Sequence, residues 1–371
     1  MKTVKILMSI AAGVLMTVAC TDLKNEKLQV ESYKTPLKDN AFDEEYYENL
    51  RAWKASDHTV SYVYFAAWAP PEGSQSLYVD YYNDMHNRFL GLPDSLDIVN
   101  LWMGAPSPYP EDAYDYSPHA WEELQYCRRV KGTKFVLHAD ASNYNHTFEL
   151  EDEETGEVKT WSTRRGDAAS IEAFAEWYCR KIIRYELDGI DWDFEGWSSS
   201  DMYTAIKKSG EYFGPKANYD LHDDADEDKL NIIDYFNGAP DSNVEPYINY
   251  LVKQAYSAQG AGGWGGPGWL PAKKAIACEQ YEQNSGDGPN YKNGGYPTSR
   301  TNARGKKMYT LESYAIDAYN GTGGKGGGFG AYYIDNDYYN NGSNIGDGGR
   351  FETWYYLRNA IQAINPAKTD E

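Results

Sequence analysis

The sequence is short of the residues that staple a small secreted fold or grip a polyanion. Four cysteines occur in 371 residues, and Cys20 closes an apolar leader, which leaves Cys127, Cys179 and Cys278. An odd number without CxxC spacing makes neither a disulfide framework nor a zinc site, so these three thiols are expected to be buried inside helices or strands. Histidine is scarce too: none of the six stands at nucleophile–base spacing from a Ser or Cys, which argues against triad hydrolysis. Positive charge is outnumbered, with 35 Lys and Arg against 56 Asp and Glu and a formal net charge of -21. That surface repels a phosphate backbone and excludes nucleic acid as a partner. No apolar run is long enough to cross a bilayer. The glycine-rich stretches Gly260 to Leu270 and Gly321 to Gly328 lack the Gly-Lys-Ser/Thr of a phosphate loop and read as flexible loops, and no cofactor or metal is expected.

What is present divides the chain into three. Met1-Lys2-Thr3-Val4-Lys5 followed by apolar residues from Ile6 to Ala19 reads as an export signal. Leu15-Met16-Thr17-Val18-Ala19-Cys20 resembles a bacterial lipobox, which implies lipidation of Cys20; an ordinary export signal with an incidental Cys is the alternative. Residues 21–57 are polar and read as a tether with one short helix over Glu44 to Lys54. From residue 58 to 371, short apolar runs alternate with helical stretches, the pattern of repeated βα units. The strand candidates are Val60–Phe65, Ile98–Trp102, Phe135–Ala139, Gly189–Phe194, Leu230–Tyr235, Tyr250–Gln254, Ala275–Glu279 and Gly330–Ile334. Eight is the number that closes a (β/α)8 TIM barrel, so a single α/β barrel domain is predicted. Helices are expected over Pro118 to Val130, Ala168 to Tyr185, Met202 to Phe213, Thr310 to Tyr319 and Phe351 to Ile364. The acidic clusters at 151–154 and 223–228 read as solvated loops, the second able to hold a cation weakly.

Chemistry concentrates in the fourth strand candidate. Asp191, Asp193 and Glu195 stand two residues apart, so an extended backbone projects all three from one face, about 6.6 Å per step. Apolar Ile190, Trp192 and Phe194 occupy the other face, so the acids are not the wet side of an edge strand and face the barrel interior. Three carboxylates there repel one another and are partly desolvated, so at least one is expected to hold a proton near neutral pH. Glu195 stands at the C-terminal end of the strand, where barrel active sites are built, and is suited to protonate a leaving-group oxygen. Asp193 can exchange a hydrogen bond or proton with its neighbours, Asp191 supports it from below, and Asp188, of opposite parity, positions the strand.

The segment Asp188-Gly189-Ile190-Asp191-Trp192-Asp193-Phe194-Glu195 resembles the DGxDxDxE motif of glycoside hydrolase family 18, which contains chitinases and endo-β-N-acetylglucosaminidases. The resemblance implies substrate-assisted, retaining hydrolysis, in which the N-acetyl carbonyl of the sugar attacks its own anomeric carbon. It also implies that Glu195 is the acid/base and that Asp193 holds the acetamido N–H. Gln254-Ala255-Tyr256 is similar to the Gln-x-Tyr of endo-β-N-acetylglucosaminidases that cut the chitobiose core of N-glycans, with Tyr256 on the acetamido carbonyl; a core Tyr after a strand is the plainer reading. By position after strands, Trp68, Trp102, Asp140, Asn143, Asp234, Asn237, Glu279 and Tyr333 are candidate substrate contacts.

Taken with the leader, the resemblance implies an outer-membrane lipoprotein of the Bacteroides type, facing the cell surface or the periplasm. It would be a monomer, held to the membrane only by its lipid, acting on N-glycans of glycoproteins beside glycan-uptake proteins. Chitinase activity on the same fold, or a non-catalytic surface glycan-binding protein, are the alternatives. Retention of Glu195 favours an enzyme, because binding proteins on this fold typically lose that residue.

Overall fold

Strand and helix periods separate cleanly in this chain because its strands carry apolar residues on both faces while its helices carry one apolar stripe. The computed structural model describes residues 42–66, 89–256, 266–281, 294–302, 305–321, 327–337 and 354–365. The export signal, Cys20, Trp68 and most of both glycine-rich stretches lie outside the described residues. The chain forms two compact units, residues 1–48 and 49–371. In the first, Glu44 and Glu45 open helix α1 (Glu44–Lys54), whose boundaries are those expected from sequence. The second holds the barrel.

Twelve strands are described: β1 (Val60–Tyr64), β2 (Ile98–Leu101), β3 (Lys134–Asp140), β4 (Thr147–Glu151), β5 (Val158–Ser162), β6 (Gly189–Phe194), β7 (Leu230–Tyr235), β8 (Tyr250–Gln254), β9 (Ala275–Gln280), β10 (Pro297–Thr301), β11 (Lys307–Tyr309) and β12 (Gly328–Tyr332). Eight of them close into one parallel barrel in the order β1-β12-β9-β8-β7-β6-β3-β2. Each lies within two residues of its sequence-based position. The fold is therefore a (β/α)8 barrel, with β6 as its fourth strand. The other four strands pair as hairpins, β4 with β5 and β10 with β11, which the strand pattern in the sequence did not suggest.

The outer layer contains α2 (Pro118–Tyr126), α3 (Ala168–Arg184), α4 (Ser199–Tyr212), α5 (Thr310–Asn320) and α6 (Tyr355–Ile364). After α2 the chain continues through a π-helical turn, Cys127–Lys131, closed by Gly132 in the left-handed conformation. Asp167 and Ser198 cap α3 and α4, accepting from the backbone N–H of Ser170 and Asp201. Their apolar stripes, including Ile171, Ile182, Met202 and Ile206, meet the outward residues Leu137, Ile190, Trp192 and Ile233 in the larger core. A smaller core fills the barrel bore with Val60, Tyr62, Ile98, Val136, Ile232, Val252 and Ile276. Cys127, Cys179 and Cys278 are all buried, in the π turn, α3 and β9, as expected. Burial pushes the Cys127 thiol up to about 12. Among the described residues no helix is long and apolar enough to cross a membrane.

The start of β6 is tied by charge. Asp188 accepts from Arg128 Nε and Nη2, both at 2.7 Å, and from the Phe135 N–H at 2.8 Å. A fork of this kind is directional and mostly withdrawn from water, so it fixes where β6 begins relative to β3. Replacing Arg128 with Leu leaves the Asp188 carboxylate with one donor. The expected cost is about 2 kcal/mol, read as a lowered midpoint in urea unfolding with unchanged slope.

Candidate active site

The position of the acidic strand is dictated at its first residue. Gly189 has φ +142°, and a Cβ there would lie 2.1 Å from the Leu230 carbonyl oxygen, so only glycine lets β6 start flush against β7. From Gly189 the pleat sends Ile190 and Trp192 outward. Trp192 packs among Phe174, Tyr178 and Trp197, its indole N–H on Ser209 Oγ at 3.2 Å. Asp191 and Asp193 therefore point into the bore, with Glu195 following at the exposed mouth.

The three acids sit at graded depths. Asp191 is fully buried; its Oδ2 accepts from the hydroxyl of Tyr62 and from Asn100 Nδ2 at 2.8 Å. Burial raises its carboxyl to about 6, against those two hydrogen bonds, which pull it down. Asp193 is half-buried, and Gln254 Nε2 donates to its Oδ1 at 3.1 Å. Burial first, and then the charge of Glu195, push Asp193 up to about 7. His138 Nε2 stands 3.7 Å from Asp193 Oδ2, close enough for an ion pair. Burial, however, pushes the imidazole down to about 4, so near neutral pH this is a contact with an uncharged ring. Of the acids on this strand, Asp193 is thus the one held up far enough to keep a proton part of the time near neutral pH.

A pH dependence follows. Asp191 and Asp193 bind protons more tightly folded than unfolded, so between about pH 4 and pH 7 the native state carries the extra protons and stability falls as pH rises. Asp193→Asn removes one of these groups. Its melting temperature should gain on the wild type between pH 5 and pH 8; parallel curves would mean that Asp193 is not held up.

Glu195 is held by its neighbours rather than by contacts of its own carboxyl. The N–H groups of Gly196 and Trp197 both donate to the Ala141 carbonyl, at 3.2 and 3.1 Å. The chain approaches so closely there that a Cβ on Gly196 would fall 1.6 Å from the Ser142 oxygen. Trp197 stacks on Tyr144 at 5.5 Å and donates its indole N–H to the Asn143 carbonyl. Tyr144 in turn donates to Asp201 at 2.6 Å and accepts from Ser198 N at 2.9 Å. The loop after β3 thereby clamps the loop that carries Glu195.

The remaining residues singled out from sequence fare differently. Trp102 lies at the mouth, its ring 5.0 Å from those of Tyr332 and Tyr333. Tyr256 continues this wall, stacked on Tyr332 at 5.3 Å with Phe236 beyond it at 5.9 Å. Burial keeps the Tyr256 phenol protonated, a donor. Tyr333 takes a left-handed φ of +56°, which turns the chain sharply after β12. Asp140 shares the inward parity of β3, but its carboxylate accepts from Ser142 N at 2.7 Å and from the Asn143 amide at 3.3 Å, shaping its own loop. Asn143 acts through its carbonyl as part of the clamp. Asn237 is exposed beyond β7, where the inward residue is Phe236.

Two expectations need correction. Glu279 does not face the cleft: it is buried on the outer side of β9, accepting from the Thr310 hydroxyl at the start of α5 and from Gln280 N at 2.7 Å. Inward parity on β9 belongs to Ile276, Cys278 and Gln280. Asp234 points inward but is fully buried beneath the cleft, bonded to the Tyr64 hydroxyl, out of reach of a bound molecule. Reasoning from sequence also missed Tyr62, Tyr64, Asn100 and His138, although the alternation of Tyr62 and Tyr64 along β1 carried a signal. Among the described residues no group of three or more His, Cys, Asp and Glu could hold a metal ion.

An acid at the mouth, a half-buried carboxyl beneath it and an aromatic wall beside both suit proton delivery to a polar, ring-shaped ligand. Comparison with known proteins agrees. The chain is 28% identical over 225 residues to endo-beta-N-acetylglucosaminidase F2 of Elizabethkingia meningoseptica, a match over 56% of this chain and 54% of that protein. It thus spans about half the length of that curated relative. Among solved structures, an endo-beta-N-acetylglucosaminidase from Cordyceps militaris superposes with TM-score 0.56 at 20% identity, over 88% of this chain and 97% of that one. A selenomethionine variant of BT1044 superposes with TM-score 0.57 at 20% identity, over 89% and 95%. At such identities the structural likeness is one of fold. The profile of glycoside hydrolase family 18, BT1044-like, matches residues 24–363, and the chain belongs to that family of glycoside hydrolases.

Proposed function

We propose that the protein is an endo-β-N-acetylglucosaminidase that hydrolyses the GlcNAc-β1,4-GlcNAc bond in the chitobiose core of N-glycans, with substrate-assisted, retaining catalysis. The observation that carries this reading is the order of the carboxyls together with the contact of Gln254 on Asp193: exposed Glu195 over half-buried Asp193 over buried Asp191. In this reading Glu195 gives a proton to the glycosidic oxygen and later takes one from water. Asp193, steadied by Gln254, accepts the acetamido N–H, and Tyr256 donates to the acetamido carbonyl as it attacks the anomeric carbon. Asp191, fixed by Tyr62 and Asn100, supports Asp193 electrostatically. Trp102, Tyr332 and Phe236 offer sugar faces an apolar platform.

The similarity to the Elizabethkingia enzyme supports the endoglycosidase reading over a chitinase. The same reading extends to a monomeric lipoprotein anchored through Cys20 at the outer membrane, working beside glycan-uptake proteins. The test is mass spectrometry of high-mannose and complex glycoproteins, and of chitin oligosaccharides, after incubation with residues 21–371 and with Glu195→Gln. Release that leaves one GlcNAc on Asn supports the proposal. Cleavage of chitin alone assigns a chitinase, and binding without cleavage a glycan-binding protein.

A further inference from the structure

Asp234 is a fourth acid in the bore, outside the DGxDxDxE segment. It is the register partner of Asp193 on the neighbouring parallel strand, so both side chains leave the sheet side by side. Its Oδ2 accepts from the Tyr64 hydroxyl, while its Oδ1 is buried and receives no hydrogen bond, which suits the oxygen of a carboxyl that carries its own proton. The groups around it are Tyr62 and Tyr64 from β1, Asp191 and Asp193 from β6, Tyr256 after β8 and Cys278 from β9. None of these is a cation, and the one nearby histidine is uncharged, so only the Tyr64 hydrogen bond favours a buried negative charge at Asp234. Burial first, and then Asp191 and Asp193, push its carboxyl well above the usual range, and its hydrogen bond with Asp193 favours the proton on the Asp234 side.

We propose that Asp234 is a positioning residue: a neutral carboxylic acid that donates its O–H to Asp193 and, opposite Gln254, fixes the direction in which Asp193 presents its free lone pairs. Two donors approaching Asp193 from two strands leave it a single useful orientation, toward the mouth. An ionised Asp234 would instead repel Asp193. No proton leaves Asp234 during turnover.

Two measurements on the full chain test this. The first needs no substrate. The infrared difference between wild type and Asp234→Asn near pH 8, where Asp193 is largely ionised, should contain the C=O stretch of a protonated carboxyl. Its absence means that Asp234 is charged and overturns the proposal, whatever the enzyme cuts. If Asp234→Asn does not fold, the same band is followed in the wild type and in Tyr64→Phe as pH is raised. The band should persist to higher pH in Tyr64→Phe, because the lost phenol hydrogen bond had favoured the ionised form; an unmoved band overturns the proposal.

The second rests on the endoglycosidase reading and uses a high-mannose glycoprotein. Asp234→Leu should lower kcat by about a hundredfold with KM unchanged, since Asp234 does not touch substrate. Asp234→Asn, whose amide N–H can donate in place of the O–H, should recover most of that loss. Equal losses in both variants, or a raised KM, would make Asp234 a charged or substrate-contacting group. Failure of wild type to release any glycan sinks the endoglycosidase reading and leaves the infrared result, for or against a protonated Asp234, intact.

Discussion

Glu195→Gln is expected to lower glycan release, the activity proposed above, by about a thousandfold while leaving the fold and its melting temperature in place. The glutamine amide fills the same space and can still accept a hydrogen bond, but it has no proton to deliver to a departing oxygen. Glu195 is exposed and its loop is held by backbone contacts to Ala141 and by Trp197 on Tyr144, so the substitution removes none of the scaffold. A second effect separates loss of the acid from general damage. The charge of Glu195 helps to hold the Asp193 carboxyl up, so in Glu195→Gln the titration of Asp193 should move downward. Carboxyl-region NMR of labelled aspartate reads this directly. A variant that retains near-normal release would remove Glu195 from the role of acid.

Gly189→Ala should be strongly destabilising. Alanine at φ +142° is strained, and its Cβ would sit 2.1 Å from the Leu230 carbonyl oxygen, 2.6 Å from its nitrogen and 2.8 Å from its carbonyl carbon. These are backbone atoms of a paired strand, so no side chain can swing aside. The clash is relieved only by parting β6 from β7, which carries Asp191 and Asp193 away from Asp234. A cost of about 3 kcal/mol or more is expected, equivalent to a fall of about 5–10 °C in melting temperature. Release of glycan should fall with it even where the protein remains folded. A melting temperature unchanged within error would show that β6 tolerates a side chain there.

The alternation of Asp191, Asp193 and Glu195 was legible because it is local: a period of two within five residues needs no knowledge of the rest of the chain. The eight barrel strands were legible for the same reason, each a short apolar run between polar turns. Glu279 was misplaced because Ala275, Ile276, Ala277 and Cys278 are all small or apolar, so the run has no polar side from which to infer which residues face inward. The hairpin of β4 and β5 was missed for the opposite reason: Phe148 and Leu150 alternate among acids, and the acidic turn at 152–155 dominated the segment. Tyr62, Tyr64 and Asn100 lie beyond what one strand can reveal. Their partners are set by the stagger of strands around the bore, which depends on how the barrel closes.

That closure has a bearing on how the protein is made. The Tyr62–Asp191 and Tyr64–Asp234 hydrogen bonds join residues 129 and 170 positions apart, from the first barrel strand to the fourth and fifth. During synthesis β1 leaves the ribosome long before its partners exist, and nothing seals it until β12, last of the barrel strands, arrives at its other edge. Until then the aspartates are hydrated, ionised and ordinary. The raised affinity of Asp191 and Asp193 for protons arises from burial, in the step that shuts the barrel. A nascent or half-folded copy therefore carries every residue of the motif and none of its chemistry.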